Sequence, residues 1–139
     1  RYGLRLMFQL ALEYGKGPVS LKDISRKEDI SEKYLSQIVI PLKARGLVTP
    51  IRGSSGGYVL AREPFTITVK DIVEVFEGSF SPVECTDHPS SCKRASFCTA
   101  RKVWSILGDK MAETLNLLNL KDLVSMDKKN KEDFLDYSI

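Results

Sequence analysis

Three cysteines, Cys85, Cys92 and Cys98, fall within 14 residues of a 139-residue chain. Thiolate sulfur selects iron–sulfur clusters, copper or zinc among biological metals. The spacing is C-x6-C-x5-C, with no C-x2-C pair of the kind common in structural zinc sites. Three sulfurs on a pliable loop can embrace a cluster, which leaves one ligand position for another donor. His88, the one histidine, is a local candidate for it, with Glu84 and Asp87 beside it. Without a metal, the same residues are an exposed loop histidine and a set of free thiols or a thiol switch. Enzymatic use of a cysteine nucleophile fits least, because no general base is paired to a motif and no phosphate-binding loop is present. We therefore expect no enzyme.

The odd cysteine count and the lack of a signal-peptide pattern argue against a disulfide framework and for a reducing cytoplasm. A composition of 42% hydrophobic and 28% charged residues is ordinary for a globular protein of one domain or little more. No apolar run approaches the roughly 20 residues that span a bilayer, so no membrane association is expected. The chain opens on Arg1 rather than Met, so further residues are expected ahead of it. The net charge of +3 is unevenly placed. Residues 1–60 hold ten Lys and Arg against five Asp and Glu, whereas residues 61–139 hold eleven against thirteen. A basic first half suits a polyanionic partner, since phosphate contacts supply most non-specific affinity for DNA.

The elements that must carry these residues follow from periodicity and capping. Residues 1–14 read as a helix with Leu6, Leu10 and Tyr14 at i, i+4 spacing, ended by Gly15, Gly17 and Pro18. Ser20, with Asp23 three residues on, caps a short helix holding Leu21 and Ile24. Ser31 caps a third helix with Tyr34, Leu35, Ile38, Val39 and Leu42 on its apolar side. Pro41 is expected to kink that helix or end its regular part, and Gly46 to stop it. Leu47–Arg52 and Tyr58–Leu60 read as two short strands around Gly53-Ser54-Ser55-Gly56-Gly57. Thr68 and Asp71 open a fourth helix with Val69, Ile72, Val75 and Phe76 inward, ending at Gly78. No periodicity survives from Ser79 to Ser96. From about Thr99 a long helix carries a coiled-coil-like seam, Trp104, Leu107, Met111, Thr114 and Leu118. A second stripe, Val103, Ile106 and Leu117, gives that helix two faces, one for its own domain and one for a partner chain. Asn119 caps a short helix around Leu120–Val124, and the charged tail that follows offers Phe134, Leu135, Tyr137 and Ile139 as an apolar anchor.

Helix, helix–turn–helix, then a glycine-tipped hairpin is the order of a winged helix-turn-helix. In such a fold the second helix of the pair enters the major groove and its early side chains reach base edges. The polar positions there are Ser31, Glu32, Lys33, Ser36 and Gln37. Gln can read adenine through a bidentate pair, Lys can meet guanine or phosphate, and Ser can serve either. At the hairpin tip Arg52 stands beside Gly53, Ser54 and Ser55, small residues that let backbone approach the sugar–phosphate wall, and arginine suits a narrow minor groove.

The stretches GPVSLKDIS, YLSQIVIPLKARGLV and RGSSGGYVL, followed by three cysteines and a Trp-bearing helix, resemble the iron–sulfur cluster regulator family of bacterial repressors over essentially the whole chain. The resemblance implies a mainly α fold with a small β-hairpin wing and a long C-terminal dimerisation helix. It divides the chain into a DNA-binding domain at 1–78, a sensor loop at 79–98, the dimerisation helix and a short following helix at 99–126, and a tail at 127–139. It further implies a homodimer on a pseudo-palindromic double-stranded DNA operator and a [2Fe-2S] cluster held by Cys85, Cys92 and Cys98. The genes controlled would be those of iron–sulfur cluster biogenesis, through a population shift that moves the recognition helices. Gln37 and Arg52 fall on positions that touch DNA in the family. Ser36 departs from a Glu carried by many relatives, so the operator cannot be copied from them. The fourth ligand does not carry over either. The His of the enteric-type relatives is replaced by Arg101, and the acidic residue of the nitric-oxide-sensing relatives falls near Arg1. His88, Glu84, a residue ahead of Arg1 or a small molecule remain. The scaffold and its apolar tail also resemble the cysteine-metabolism repressor branch, which leaves a cluster-free thiol- or partner-sensing repressor as the alternative.

Overall fold

A computed structural model describes residues 1–138, and Ile139, expected in the apolar anchor, lies outside the described residues. Seven α-helices and one hairpin make up the described chain: α1 (Tyr2–Leu12), α2 (Leu21–Glu28), α3 (Glu32–Ala44), β1 (Val48–Ile51), β2 (Gly57–Leu60), α4 (Val69–Glu77), α5 (Glu84–Asp87), α6 (Thr99–Asn116) and α7 (Leu120–Tyr137). The expected class, mainly α with a β-hairpin wing, is the one observed.

Capping decides where these helices start. Ser20 and Ser31 each accept a hydrogen bond at 3.1 Å from the amide three residues on, Asp23 and Tyr34. Thr68 with Asp71 and Asn119 with Asp122 both form reciprocal capping boxes. Such caps satisfy amides that have no partner within the helix and stabilise each start by about 1 kcal/mol. Asp29, in the left-handed region at φ 52°, closes α2 and turns the chain into α3.

Leu6, Met7, Leu10, Ile24, Leu35, Leu42, Ile67, Ile72 and Leu120 are fully buried and form one core between α1, α2, α3, α4 and the start of α7. Each such side chain contributes about 1.5–3 kcal/mol over its exposed state. A β-bridge between Thr68 and Asn119 fastens α7 to the domain, with Val69 N donating to Leu118 O at 2.8 Å and Leu120 N to Ile67 O at 3.0 Å.

The wing pairs antiparallel, Val48 opposite Leu60 through Ile51 opposite Gly57. A second bridge, Val19 with Tyr58, ties it to the loop between α1 and α2 through two backbone bonds of 2.9 Å. Gly57 is what allows that approach, because a Cβ there would lie 2.3 Å from the Val19 carbonyl oxygen. Gly57→Ala should part the bridge and cost about 1–3 kcal/mol, the usual range for forced overpacking. Urea unfolding and faster exchange of the Tyr58 amide would register it, and unchanged values would show the wing docks by other contacts.

Three expectations need correction. Pro41 does not end α3, which runs through it to Ala44. One lost bond near a helix end is outweighed by the burial of Ile38, Val39 and Leu42 on the same helix. The segment 79–96 is not wholly irregular, since α5 and a 3₁₀ turn at Pro89–Ser91 lie within it. Residues beyond Val124 are not a tail but continue α7 to Tyr137. Of the two faces of α6, the stripe Val103, Ile106 and Leu117 is the outward one, being 57%, 62% and 75% exposed. The face of α6 that meets its domain carries Gly108, the helix's one buried residue. There a Cβ would lie 2.9 Å from the Phe80 carbonyl oxygen, so the missing side chain admits the segment that follows α4.

Candidate nucleic-acid interface and cysteine segment

In the basic half of the chain α3 packs against β1 of the wing, and both carry exposed polar residues. Lys33, Ser36, Gln37, Arg52, Gly53, Ser54 and Ser55 are all exposed. On α3 the inward residues Leu35, Ile38, Val39 and Leu42 fix the helix's rotation, which leaves Lys33, Ser36, Gln37, Ile40 and Lys43 on the outer face. The Ser36 hydroxyl donates to the Lys33 carbonyl at 2.6 Å, so its proton is already committed within the helix. The Gln37 amide has no hydrogen-bond partner among the described residues and can turn both its groups to a base edge.

Sequence reasoning missed what holds the α2–α3 turn. Arg5 on α1 donates from Nε to Glu28 Oε2 at 2.7 Å and from its second guanidinium nitrogen to the Glu28 carbonyl. Gln9, a buried polar residue one turn on, donates to the other carboxylate oxygen. Both Glu28 oxygens and its carbonyl are thereby bound to α1 next to Asp29. The signal was present: Arg5 and Gln9 sit at i, i+4 among the core positions Leu6 and Leu10. Their partner, 19 to 23 residues away, shows only in three dimensions.

The cysteine segment joins α4 at Gly78 to α6 at Cys98, which is the residue ahead of the helix's first turn. Cys85 lies half-buried on α5, and its carbonyl accepts from Arg101 Nε at 2.8 Å. Arg101 thus clasps α5 to the start of α6. Cys92 is exposed after the 3₁₀ turn, and Cys98 is half-buried. His88 and Glu84 are exposed, and Asp87 accepts from the Ser79 hydroxyl. No acidic residue falls between Asp87 and Asp109, whereas Lys93, Arg94, Arg101 and Lys102 do.

Three free thiols are the right donor chemistry for a thiophilic group, and with Cys92 exposed and Cys85 and Cys98 half-buried they are reachable. Among the described residues, however, no three Cys, His, Asp or Glu side chains are gathered closely enough to hold a metal ion. One group bound to Cys85, Cys92 and Cys98 together therefore requires residues 85–98 to fold around it.

A family model described as "Rrf2: Iron-dependent Transcriptional regulator" matches residues 1–126. The HTH-type transcriptional regulator CymR of Bacillus subtilis is 42% identical over 137 residues, 99% of this chain and 94% of that protein. Its solved structure, named as the global cysteine regulator of B. subtilis, superposes with a TM-score of 0.76 at 44% identity, covering 91% of this chain and 92% of that one. The structure of IscR from T. potens gives a TM-score of 0.78 at 38% identity, covering 93% and 85%. No helix among the described residues is long and apolar enough to cross a membrane. The exposed basic face, the wing and these likenesses agree: the chain belongs to the Rrf2 family of transcriptional regulators and is not an enzyme.

Proposed function

We propose that the protein is a homodimeric repressor that reads a pseudo-palindromic operator through α3 and the wing, and whose DNA affinity is set by an iron–sulfur cluster on Cys85, Cys92 and Cys98. The observation that carries this reading is the place of the three thiols. They lie on one segment joined at its ends to α4, which packs on α1 and α3, and to α6, whose outer face is apolar. When bound, a cluster supplies a group sensitive to oxygen, iron supply and redox state. A change in how residues 79–98 fold pulls on α4 and α6 together and so on the spacing of two recognition helices, the coupling a repressor needs.

Anaerobic purification followed by absorbance, iron content and operator binding tests it. Visible bands from about 320 to 460 nm with iron bound, and an operator affinity that changes on their removal, support the cluster. A second reading has its own support: the 42% identity to CymR over nearly the whole chain, and thiols that stand apart rather than gathered. It makes the protein a cluster-free repressor of cysteine metabolism, controlled through its thiols or a partner protein. A colourless protein with three reactive thiols that still binds its operator supports that one.

Two substitutions test the interface itself. Arg52→Ala should weaken binding to any duplex and lower the slope of log affinity against log salt by about one phosphate equivalent. Gln37→Ala should instead cost about 1–3 kcal/mol at one base pair and leave non-specific binding alone. Titrations over a salt series separate the two, and operator binding at parental strength by both variants would place the recognition surface elsewhere.

A further inference from the structure

One residue on the outer face of α3 does not match its polar neighbours. Ile40 is 65% exposed, while Ile38 and Val39 beside it are 8% and 3% exposed. It stands seven residues after Lys33 and three after Gln37, spacings that put all three on one face of a helix. Lys43 follows three residues on. Exposure alone would carry nothing, since single apolar side chains are common on protein surfaces. The place of this one is what counts. Tyr34, the other large exposed apolar side chain of α3, already packs edge-on against Tyr2 with ring centroids 5.5 Å apart. Ile40 is not among the side chains packed against the core.

We infer that Ile40 is a specificity-determining residue that seats its side chain on the C5-methyl group of an operator thymine in the major groove. The inference rests on the reading of α3 as the recognition helix and adds the base class it reads. Lysines on either side and Arg52 on the wing bring phosphate to this face, so the groove floor is what lies opposite Ile40. On that floor the thymine methyl is the one apolar group that projects from a base edge among its donors and acceptors. Against an oxygen or nitrogen the isoleucine would strip water and return no hydrogen bond, whereas against the methyl both partners lose apolar surface to water. With the Ser36 proton committed to Lys33, Gln37 and Ile40 are left as neighbouring readers on successive turns. Three residues advance about 4.5 Å along a helix axis, and a base-pair step is about 3.4 Å. The thymine therefore lies about one to two base pairs from the base that Gln37 reads.

Deoxyuridine removes that methyl and nothing else, which makes the test direct. The full chain first selects its operator from a randomised duplex pool, and each thymine is then replaced by deoxyuridine in turn. One position per half-site should weaken binding about fourfold, the factor for one buried methyl, and about sixteenfold when both half-sites are changed. Ile40→Ala should bind the thymine duplex more weakly and no longer distinguish it from the deoxyuridine duplex. Its affinity for unrelated DNA and its melting temperature should stay parental, since the side chain is exposed. A selected operator with no methyl-sensitive position overturns the inference, and so does an Ile40→Ala variant that keeps the full sensitivity. In both cases sequence-selective binding survives and only the role of Ile40 falls. A chain that selects no sequence at all overturns instead the recognition-helix reading on which the inference stands.

Discussion

Leu107→Glu and Met111→Glu should each convert the protein to a monomer and lower its operator affinity by roughly 10²–10⁴-fold. The expectation follows from α6. Trp104, Leu107 and Met111 are 40%, 45% and 44% exposed at 3-4 spacing, and Val103, Ile106 and Leu117 widen the apolar surface beside them. So large an apolar face on one helix marks an interface with another protein surface, and a two-fold axis lets a single face serve both chains. A glutamate placed in that seam must be desolvated against a second copy of itself, which costs several kcal/mol per ion. Because Gly108 and the clasp of Arg101 tie α6 to its own domain, the monomer should keep its fold. The affinity loss comes from connectivity. A dimer that holds one half-site presents its second recognition helix to the other at high effective concentration, and a monomer does not. Light scattering and titration of a duplex with one or two half-sites measure both effects. Dimers that persist in both variants would move the interface elsewhere.

Much of this architecture was legible in the sequence because it depends on local chemistry. Ser20, Ser31, Thr68 and Asn119 announce helix starts through groups that lie within three residues of each other, and Gly46 and Gly78 announce ends. Lys33, Ser36 and Gln37 are exposed because α3's inward stripe fixes what must face outward, and Arg52, Gly53, Ser54 and Ser55 because they lie at the hairpin's turn. What failed was decided by distant partners or by competition between effects. Pro41 reads as a kink or an end to the regular helix, yet α3 runs on past it to Ala44, with Ile38, Val39 and Leu42 buried. The charged stretch after Val124 reads as a tail, but Met126, Lys128, Lys129, Lys131, Glu132 and Leu135 are good helix formers and Asp127 pairs with Lys131 one turn on at 2.7 Å. The hold of Arg5 and Gln9 on Glu28 shows in the sequence only as two polar residues at i, i+4 among core positions, because a contact between two helices has no sequence period that names its partner. On α6 two apolar stripes were visible, but a gap that glycine fills with nothing was not. Gly108 therefore escaped notice as the docking point.

Cys85→Ala, Cys92→Ala and Cys98→Ala should each abolish the visible absorbance of the anaerobically reconstituted protein and leave its fold intact. The three act as one unit if they share a cluster, since removing any thiolate leaves too few protein ligands for it to persist. Exposed Cys92 should change unfolding free energy by no more than about 0.5 kcal/mol. Cys85 and Cys98 are half-buried and outside the core, so their truncation should also spare the domain. His88→Ala then separates the candidates for the remaining position. If His88 ligates, its loss should shift the reduction potential, because a carboxylate or solvent in place of a neutral imidazole changes the charge of the site. Unchanged spectrum, potential and oxygen sensitivity would make His88 an ordinary exposed loop residue and turn attention to Glu84. The pattern across the three cysteines is the sharpest part of the result. Equal and complete loss in all three supports a shared cluster, whereas loss in only one or two means that the group sits on fewer thiols than proposed. A parent protein that takes up no iron and whose three thiols all react freely would leave the cysteine-metabolism reading, with control exerted through the thiols or a partner protein.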